Sequence, residues 1–268
     1  MIACRAGVFF GNKGVVVRFP RVVKLPGWFA ALSIFVAATG AESQQVLPGN
    51  LSFDVRLSGW TVGRMDLTVE SDNRSYSVGA VLRTTGLASM FKKIDYQAMV
   101  EGRQVRGRFV PDRFSEQAVD GGDNSSGSIA YVNGAPTNVQ SSPPKPVGTP
   151  RAPLNNQAGT VDPVTAVFVI VRDANKDELC DQDYAVFDGV RRTRILLNVP
   201  RKEDDGVYCD GVYIRVDGYS SEDLAEQTDF PFILLFEEYP EREGWFRLMK
   251  LTARSTNGSL EILRRPGR

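Results

Sequence analysis

The sequence predicts a mainly β fold, a strongly curved antiparallel sheet or open β-barrel around one buried helix. Three observations predict it. From Leu51 onward, apolar and polar residues alternate with period two in short runs separated by turn signals. One segment, Val161–Asp173, breaks that rule: it opens Asp162-Pro163 and is greasy nearly all round. The third is the stretch from Cys180 to Cys209, which reads as a hairpin with a cysteine outside each strand.

The runs can be taken in order. Leu51, Phe53, Val55 and Leu57 alternate with Ser52, Asp54, Arg56 and Ser58, and the pattern resumes after Gly59 through Met65, Leu67 and Val69. Tyr76, Val78, Ala80 and Leu82 form the third run. One greasy and one wet face indicate an antiparallel meander. Thr85–Phe91 loses the alternation and is expected to form one helical turn. Ile94–Val100 and Val105–Val110 are expected to pair across a turn at Glu101-Gly102-Arg103. Pro111-Asp112 then bends into Phe114–Val119, and Ser128–Val132 is a short strand. Ala135–Ala158 is rich in Pro, Asn, Ser and Gln, so it is read as a flexible insertion spanning about 135–160. Many short strands separated by turns suit a sandwich or barrel.

Val161–Asp173 is β-branched and could be a strand by propensity. Asp162 followed by Pro163, however, is a helix start, a capping carboxylate and then Pro at the first helical position. Val164, Val167, Phe168 and Val171 share one face, with Ala166, Val169 and Ile170 beside it. A helix apolar on every side belongs in the interior. Beyond it, Tyr184–Phe187 and Arg191–Val199 flank the turn Asp188-Gly189. Val207–Val216, Phe230–Tyr239, Trp245–Ala253 and Ser259–Leu263 complete the strands.

The first 41 residues read as a secretory signal. Lys13, Arg18, Arg21 and Lys24 precede the apolar run Trp28–Ala38, and Thr39-Gly40-Ala41 supplies small residues for cleavage. The run falls short of the roughly 20 apolar residues that span a bilayer, and an uncleaved anchor is the alternative. The expectation is a periplasmic protein cleaved near Ala41, with residues 42–268 as a single β-rich domain. The chain has 32 basic and 32 acidic residues; five basic and no acidic ones precede Glu42, leaving 27 against 32. A mildly acidic chain without a basic stripe argues against nucleic acid as a partner. Of three cysteines, Cys4 falls in the signal and Cys180 and Cys209 remain. An even pair in an exported chain reads as a disulfide. Zinc is the rival reading, but two cysteines without histidine do not complete four ligands.

Several weak motifs occur in a telling order. They are Gly59-x-x-x-Gly63 between two strands, Thr85-Gly86-Leu87, the Asp162-led helix, Val186-Phe187-Asp188-Gly189-Val190-Arg191-Arg192, Cys209 heading a strand, and Pro240 after Phe236-Glu237-Glu238-Tyr239. Together they resemble the bacterial domain-of-unknown-function family 3108 of exported envelope proteins, over roughly Leu51 to Leu263. The resemblance implies an open, strongly curved antiparallel sheet around a helix, similar to bacterial lipoprotein carriers. No reaction is established for that family, so no catalytic residue is carried over. The long Pro-rich insertion departs from its pattern.

The chain contains no histidine, which excludes Ser-His-Asp and Cys-His catalysis and His-ligated metal sites. No phosphate-binding glycine loop is present, and no cofactor is expected. Met65, Met90, Phe91, Phe168 and Trp245 are candidates to line an apolar cavity, with ordinary core packing as the alternative. Asp188, Arg191 and Arg192 form a candidate polar or anion-binding cluster; the plainer reading is that Asp188 caps a turn and the arginines are solvated. The expected function is a non-enzymatic envelope protein that binds a lipophilic ligand or apolar segment in the concavity of its sheet. The alternative is a scaffolding, envelope-integrity protein with a self-filled core and a surface site for a protein partner. A carboxylate-based glycan hydrolase is a third class, without specific support.

Overall fold

A computed structural model describes residues 49–72, 74–255 and 258–266. Residues 1–41, expected to be a signal, therefore lie outside the described residues. The described residues fall in one compact unit. Its elements are β1 (Gly49–Leu57), β2 (Trp60–Ser71), β3 (Ser75–Thr84), α1 (Ala88–Phe91), β4 (Ile94–Val105), β5 (Arg108–Asp120), β6 (Asp123–Val132), β7 (Ala135–Ser142) and α2 (Pro163–Val171). There follow β8 (Ala174–Asn175), β9 (Gln182–Phe187), β10 (Arg192–Leu197), β11 (Arg201–Glu203), β12 (Gly206–Asp217), α3 (Ser221–Glu226), β13 (Asp229–Glu238), β14 (Trp245–Ser255) and β15 (Gly258–Arg264). The strands make one mainly antiparallel sheet in the order β7-β6-β5-β4-β3-β2-β1-β15-β14-β13-β12-β10-β9, with β11 beside β12 and β8 beside β14. The end strands β7 and β9 do not pair, so the sheet is open.

Local chemistry sets the meander. The β1–β2, β4–β5, β5–β6 and β6–β7 connections turn in two residues, Ser58-Gly59, Arg106-Gly107, Gly121-Gly122 and Asn133-Gly134. Both central residues have positive φ in each, which matches the twist of the strands. The turn expected at Glu101-Gly102-Arg103 is not one: β4 runs through it with a bulge, and the chain reverses at Arg106-Gly107. Gly102 serves a close approach instead, because a Cβ there would overlap the Val110 carbonyl and the Tyr76 ring. Pro111 sits opposite Gly102 inside β5, at the same bulge, where a missing ladder donor is tolerated.

The insertion read as flexible is also corrected. Ala135–Ser142 is β7, paired with β6, and Ala152, Gln157 and Thr160 further on are buried. Its polar composition suits an end strand, which has a neighbour on one side only. The residues leading into α2 then cross the seam between the sheet's two ends. Gly159 N–H donates to the Gly134 carbonyl (2.8 Å), Val161 N–H to Ala185 (2.9 Å), and Phe187 N–H back to Val161 (2.9 Å).

α2 lies on the concave face, packed on β3, β4, β5 and β9. Val164, Thr165, Ala166, Phe168, Val169, Ile170 and Val171 are all buried, as an all-round apolar helix requires. Phe168 stacks with Tyr76 (ring centroids 6.2 Å apart) and meets Phe109 edge-on (5.1 Å). Phe53, Val78, Val100, Leu234 and Phe236 fill the sheet around it.

Asp162 caps α2 from the interior. Its Oδ1 accepts from the N–H groups of Val164 and Thr165 (2.9 Å each), and its Oδ2 accepts from Thr165 Oγ1 (2.6 Å). Thr165 Oγ1 in turn bonds the Tyr76 hydroxyl (2.8 Å), tying the cap to β3. Burial pushes the Asp162 carboxyl up to about 6, against the pull of the Thr165 and Val164 hydrogen bonds. Its ordinary value is 3.8, so the folded chain holds this proton more tightly than the unfolded one. The favourable contribution is complete below about pH 4 and is lost as pH rises to about 6. At about 1.4 kcal/mol per unit the loss is on the order of 2–3 kcal/mol. Asp162→Asn keeps the backbone cap and cannot ionise. Urea midpoints of the two proteins should therefore separate in favour of the variant between pH 4 and 6; parallel pH profiles would refute the assignment.

The Cys180–Cys209 disulfide is present, with Cα atoms 5.6 Å apart, inside the range such bonds adopt. It does not simply clamp the hairpin β9–β10. Cys180 precedes β9, Cys209 lies in β12, and the bond reaches across the end of β10, which ends at Leu197 rather than Val199.

Candidate functional site

Where β7 approaches the β9–β10 turn, the filled interior gives way to a cleft of about 1010 Å³. Alternation builds its floor. Along β5, Phe114 points to the concave side, which puts Glu116 on that side too, and Tyr96 from β4 stands beside it. Phe114, Ile129 and Phe187 lie buried beneath the cleft, Val139, Val190 and Leu154 supply accessible apolar surface, the segment after Pro143 runs along one side, and Pro163 at the start of α2 reaches the bottom.

Glu116 is the carboxylate of this cleft. Its Oε2 accepts from the Tyr96 hydroxyl (2.8 Å). Its partner across the ladder is Gly127, where a Cβ would come within 2.9 Å of Oε1. The glycine thus leaves a slot for the carboxyl, and any side chain there would push it out. Burial raises the affinity of Glu116 for its proton; the Tyr96 bond opposes that, Asp188 adds to it, and Lys145 opposes it. Burial and the Glu116 charge push the Tyr96 phenol up in turn, so Tyr96 stays a donor. No sequence argument singled out Glu116. Its signal was available: in Phe114-x-Glu116-x-Ala118 the glutamate falls in phase with the greasy face.

The expected site residues fall in five places. Asp188 lies at the cleft, but its Oδ1 accepts from the N–H groups of Val190 (2.8 Å) and Arg191 (2.6 Å), shaping the turn as the plainer reading held. Arg191 lines the cleft mouth with its guanidinium over the Tyr219 ring (5.1 Å). Arg192 points elsewhere and donates to the Asn156 carbonyl (2.6 Å). Phe168 and Trp245 meet at a smaller pocket of about 310 Å³ beyond the C-terminal end of α2, with Leu51, Val69 and Phe109. Met65 is half-buried against the main core and lines neither space. Met90 and Phe91 are corrected: on the short α1 outside the sheet they are 80% and 89% exposed. A single helical turn at a strand corner has no second layer among the described residues to bury its apolar side chains.

The rim of the smaller pocket carries charge that is already matched. Arg172 donates to Glu178 (3.1 Å) and Asp173 accepts from Arg264 (2.6 Å). At the mouth of the larger cleft, by contrast, Lys145, Arg151 and Arg191 form no ion pair among the described residues.

Comparison with known proteins bears on the family and leaves the ligand open. No curated protein matches the chain. Among solved structures, it is similar to the crystal structure of a beta-barrel-like protein of domain of unknown function DUF1849 from Brucella abortus. The two are 15% identical over 83% of this chain and 97% of that one, with a TM-score of 0.47. The model of a family described as a protein of unknown function, DUF3108, matches residues 52–204, which takes in the meander, α2 and the β9–β10 hairpin. That match covers more than half of the 268 residues, and the chain belongs to the DUF3108 family.

Proposed function

We propose that this chain is a non-catalytic, exported protein of the cell envelope that holds a lipophilic ligand in the part of its concave face left open by α2. The observation that carries the proposal is the seam cleft. The interior around α2 is packed, yet about 1010 Å³ stays open, with Tyr96, Val139, Leu154 and Val190 as accessible apolar groups over the buried Phe114, Ile129 and Phe187. That is ample for a small-molecule site, which commonly measures about 300–1,000 Å³ and is largely apolar with a few placed polar groups. Export to the periplasm is supported by the order of basic, apolar and small residues before Glu42. The buried Cys180–Cys209 bond suits an oxidising compartment. The absence of catalysis is supported by the lack of histidine and by Asp188 being committed to its turn.

The rival reading, a scaffold that binds only a protein partner, draws on the packed core around α2. The two differ in what travels with the protein. Purified from the periplasm and examined by native mass spectrometry, the mature chain should begin near Glu42 and carry an amphiphile of defined mass. Ser125 lines the cleft and is exposed, so Ser125→Trp should fill the space, abolish the bound mass and leave the melting temperature within a few degrees. A chain that arrives empty, or a bound mass indifferent to Ser125→Trp, would favour the scaffold.

A further inference from the structure

We infer that the seam cleft selects an amphiphile with an anionic head, a phosphate or carboxylate on an apolar chain, whose head sits among Lys145, Arg151 and Arg191. This rests on the cleft being the ligand site and adds the chemistry of the ligand. Three observations support it.

The first is the pairing of charge. Among the described residues ten cations find a carboxylate within 4.0 Å, such as Arg103 with Asp112 and Arg194 with Asp183, and others, such as Arg106 and Lys202, do not. Lys145, Arg151 and Arg191 are unpaired too, and what sets them apart is that all three line one cleft. Among the described residues their one side-chain hydrogen bond runs from Arg151 to the Lys145 carbonyl (3.3 Å), and Arg191 rests over Tyr219. Each guanidinium or ammonium keeps donors for an anion.

The second is the placing of the acids. Asp188, the acidic neighbour of Arg191, spends Oδ1 on two backbone N–H groups and does not bond the arginine side chain. Glu116 lies at the floor, held by Tyr96 in the slot over Gly127 and away from ion-pair contact with the rim. Three cations thus outnumber the single Asp188 carboxylate at the mouth, and the Glu116 carboxyl stands inside.

The third is the gradient of polarity. Accessible apolar surface from Val139, Val190 and Leu154 lies in the cleft over the buried Phe114, Ile129 and Phe187, and the cations lie on exposed loop and turn positions beside it. A free anion would use the mouth and leave that wall wet, whereas a neutral lipid would use the wall and leave three cations unmatched. An anionic amphiphile satisfies both.

The test uses the mature chain and four soluble probes below their micelle concentrations in isothermal titration at low salt: decyl phosphate, decyl maltoside, decyltrimethylammonium and inorganic phosphate. Decyl phosphate should bind at least about tenfold tighter than decyl maltoside, with decyltrimethylammonium weakest, and added salt should narrow the gap. Inorganic phosphate alone should bind far more weakly. The variant Lys145→Gln/Arg151→Gln/Arg191→Gln changes exposed side chains, so an unchanged melting temperature is expected; it should bind decyl phosphate no better than maltoside and keep its maltoside affinity. Equal binding of decyl phosphate and maltoside by the parent would overturn head selection and leave the cleft as a lipophilic site. Inorganic phosphate as tight as decyl phosphate would make this a free-anion site and overturn the amphiphile. No binding of any alkyl probe would overturn both this inference and the ligand-binding reading it rests on.

Discussion

Phe168→Ala should lower the unfolding free energy by about 3–5 kcal/mol, the range for truncating a large aromatic in a packed interior. Phe168 is 3% exposed and is the aromatic side chain through which α2 packs on Tyr76 and Phe109 of the sheet. Its ring contacts Tyr76 and Phe109, which themselves meet edge-on at 5.2 Å, so truncation breaks a three-ring cluster. Collapse cannot heal the site easily. Phe109 belongs to a strand, the helix is pinned by the Asp162 cap, and the vacancy would open into the 310 Å³ pocket that Phe168 already borders. Met90→Ala serves as the control: at 80% exposure it should change stability by less than about 0.5 kcal/mol. Urea denaturation of both variants checks the pair. A loss below about 1.5 kcal/mol at Phe168 would mean that the helix is not what holds the curved sheet together. The seam cleft lies towards the other end of α2, at Pro163, so amphiphile affinity in folded Phe168→Ala should stay near that of the parent.

Removing the disulfide should cost about 2–5 kcal/mol. The cysteines are 29 residues apart in sequence, and closing a loop of that size restrains the unfolded chain by about 3–4 kcal/mol in the chain-entropy model. Geometry says where the loss would be felt. β9 is an end strand with β10 as its ladder partner, and the bond anchors its start to β12, two strands inward. Phe187, at the far end of β9, lies buried beneath the cleft. The Cys180→Ala/Cys209→Ala variant should therefore lose stability and also bind decyl phosphate more weakly, because one wall of the cleft loosens. Both sulfurs are buried, so the comparison with reductant is made at equilibrium in urea, where the parent should fall to the variant's midpoint. A parent unmoved by reductant under those conditions would refute the contribution.

Much of this architecture is written locally. Period-two alternation marks β1 to β3 because each strand has one wet and one greasy face, and that pattern survives whatever the strands pair with. Asp162-Pro163 marks α2 because capping needs only a carboxylate and two backbone N–H groups a turn away. Counting leaves one cysteine pair if the first 41 residues are read as a signal, and that pair is bonded. The elements that failed are those whose character comes from a distant neighbour. Gly102 resembles a turn in sequence, and only the Tyr76 ring lying over it shows why a glycine is needed inside a strand. β7 shows little hydrophobic pattern because, at the sheet's end, pairing with β6 carries it. Met90 and Phe91 resemble cavity lining by type, yet none of the described residues covers them. The cleft is the extreme case. Glu116 was legible as an inward carboxylate from the phase of Phe114, but its slot depends on Gly127 being its cross-strand partner. Lys145, Arg151 and Arg191 meet at one mouth only because the sheet curves until β7 approaches the β9–β10 turn without closing. Strand, helix and crosslink are short-range decisions of the chain; the open seam, and with it the site, is set by register and curvature summed over the whole sheet.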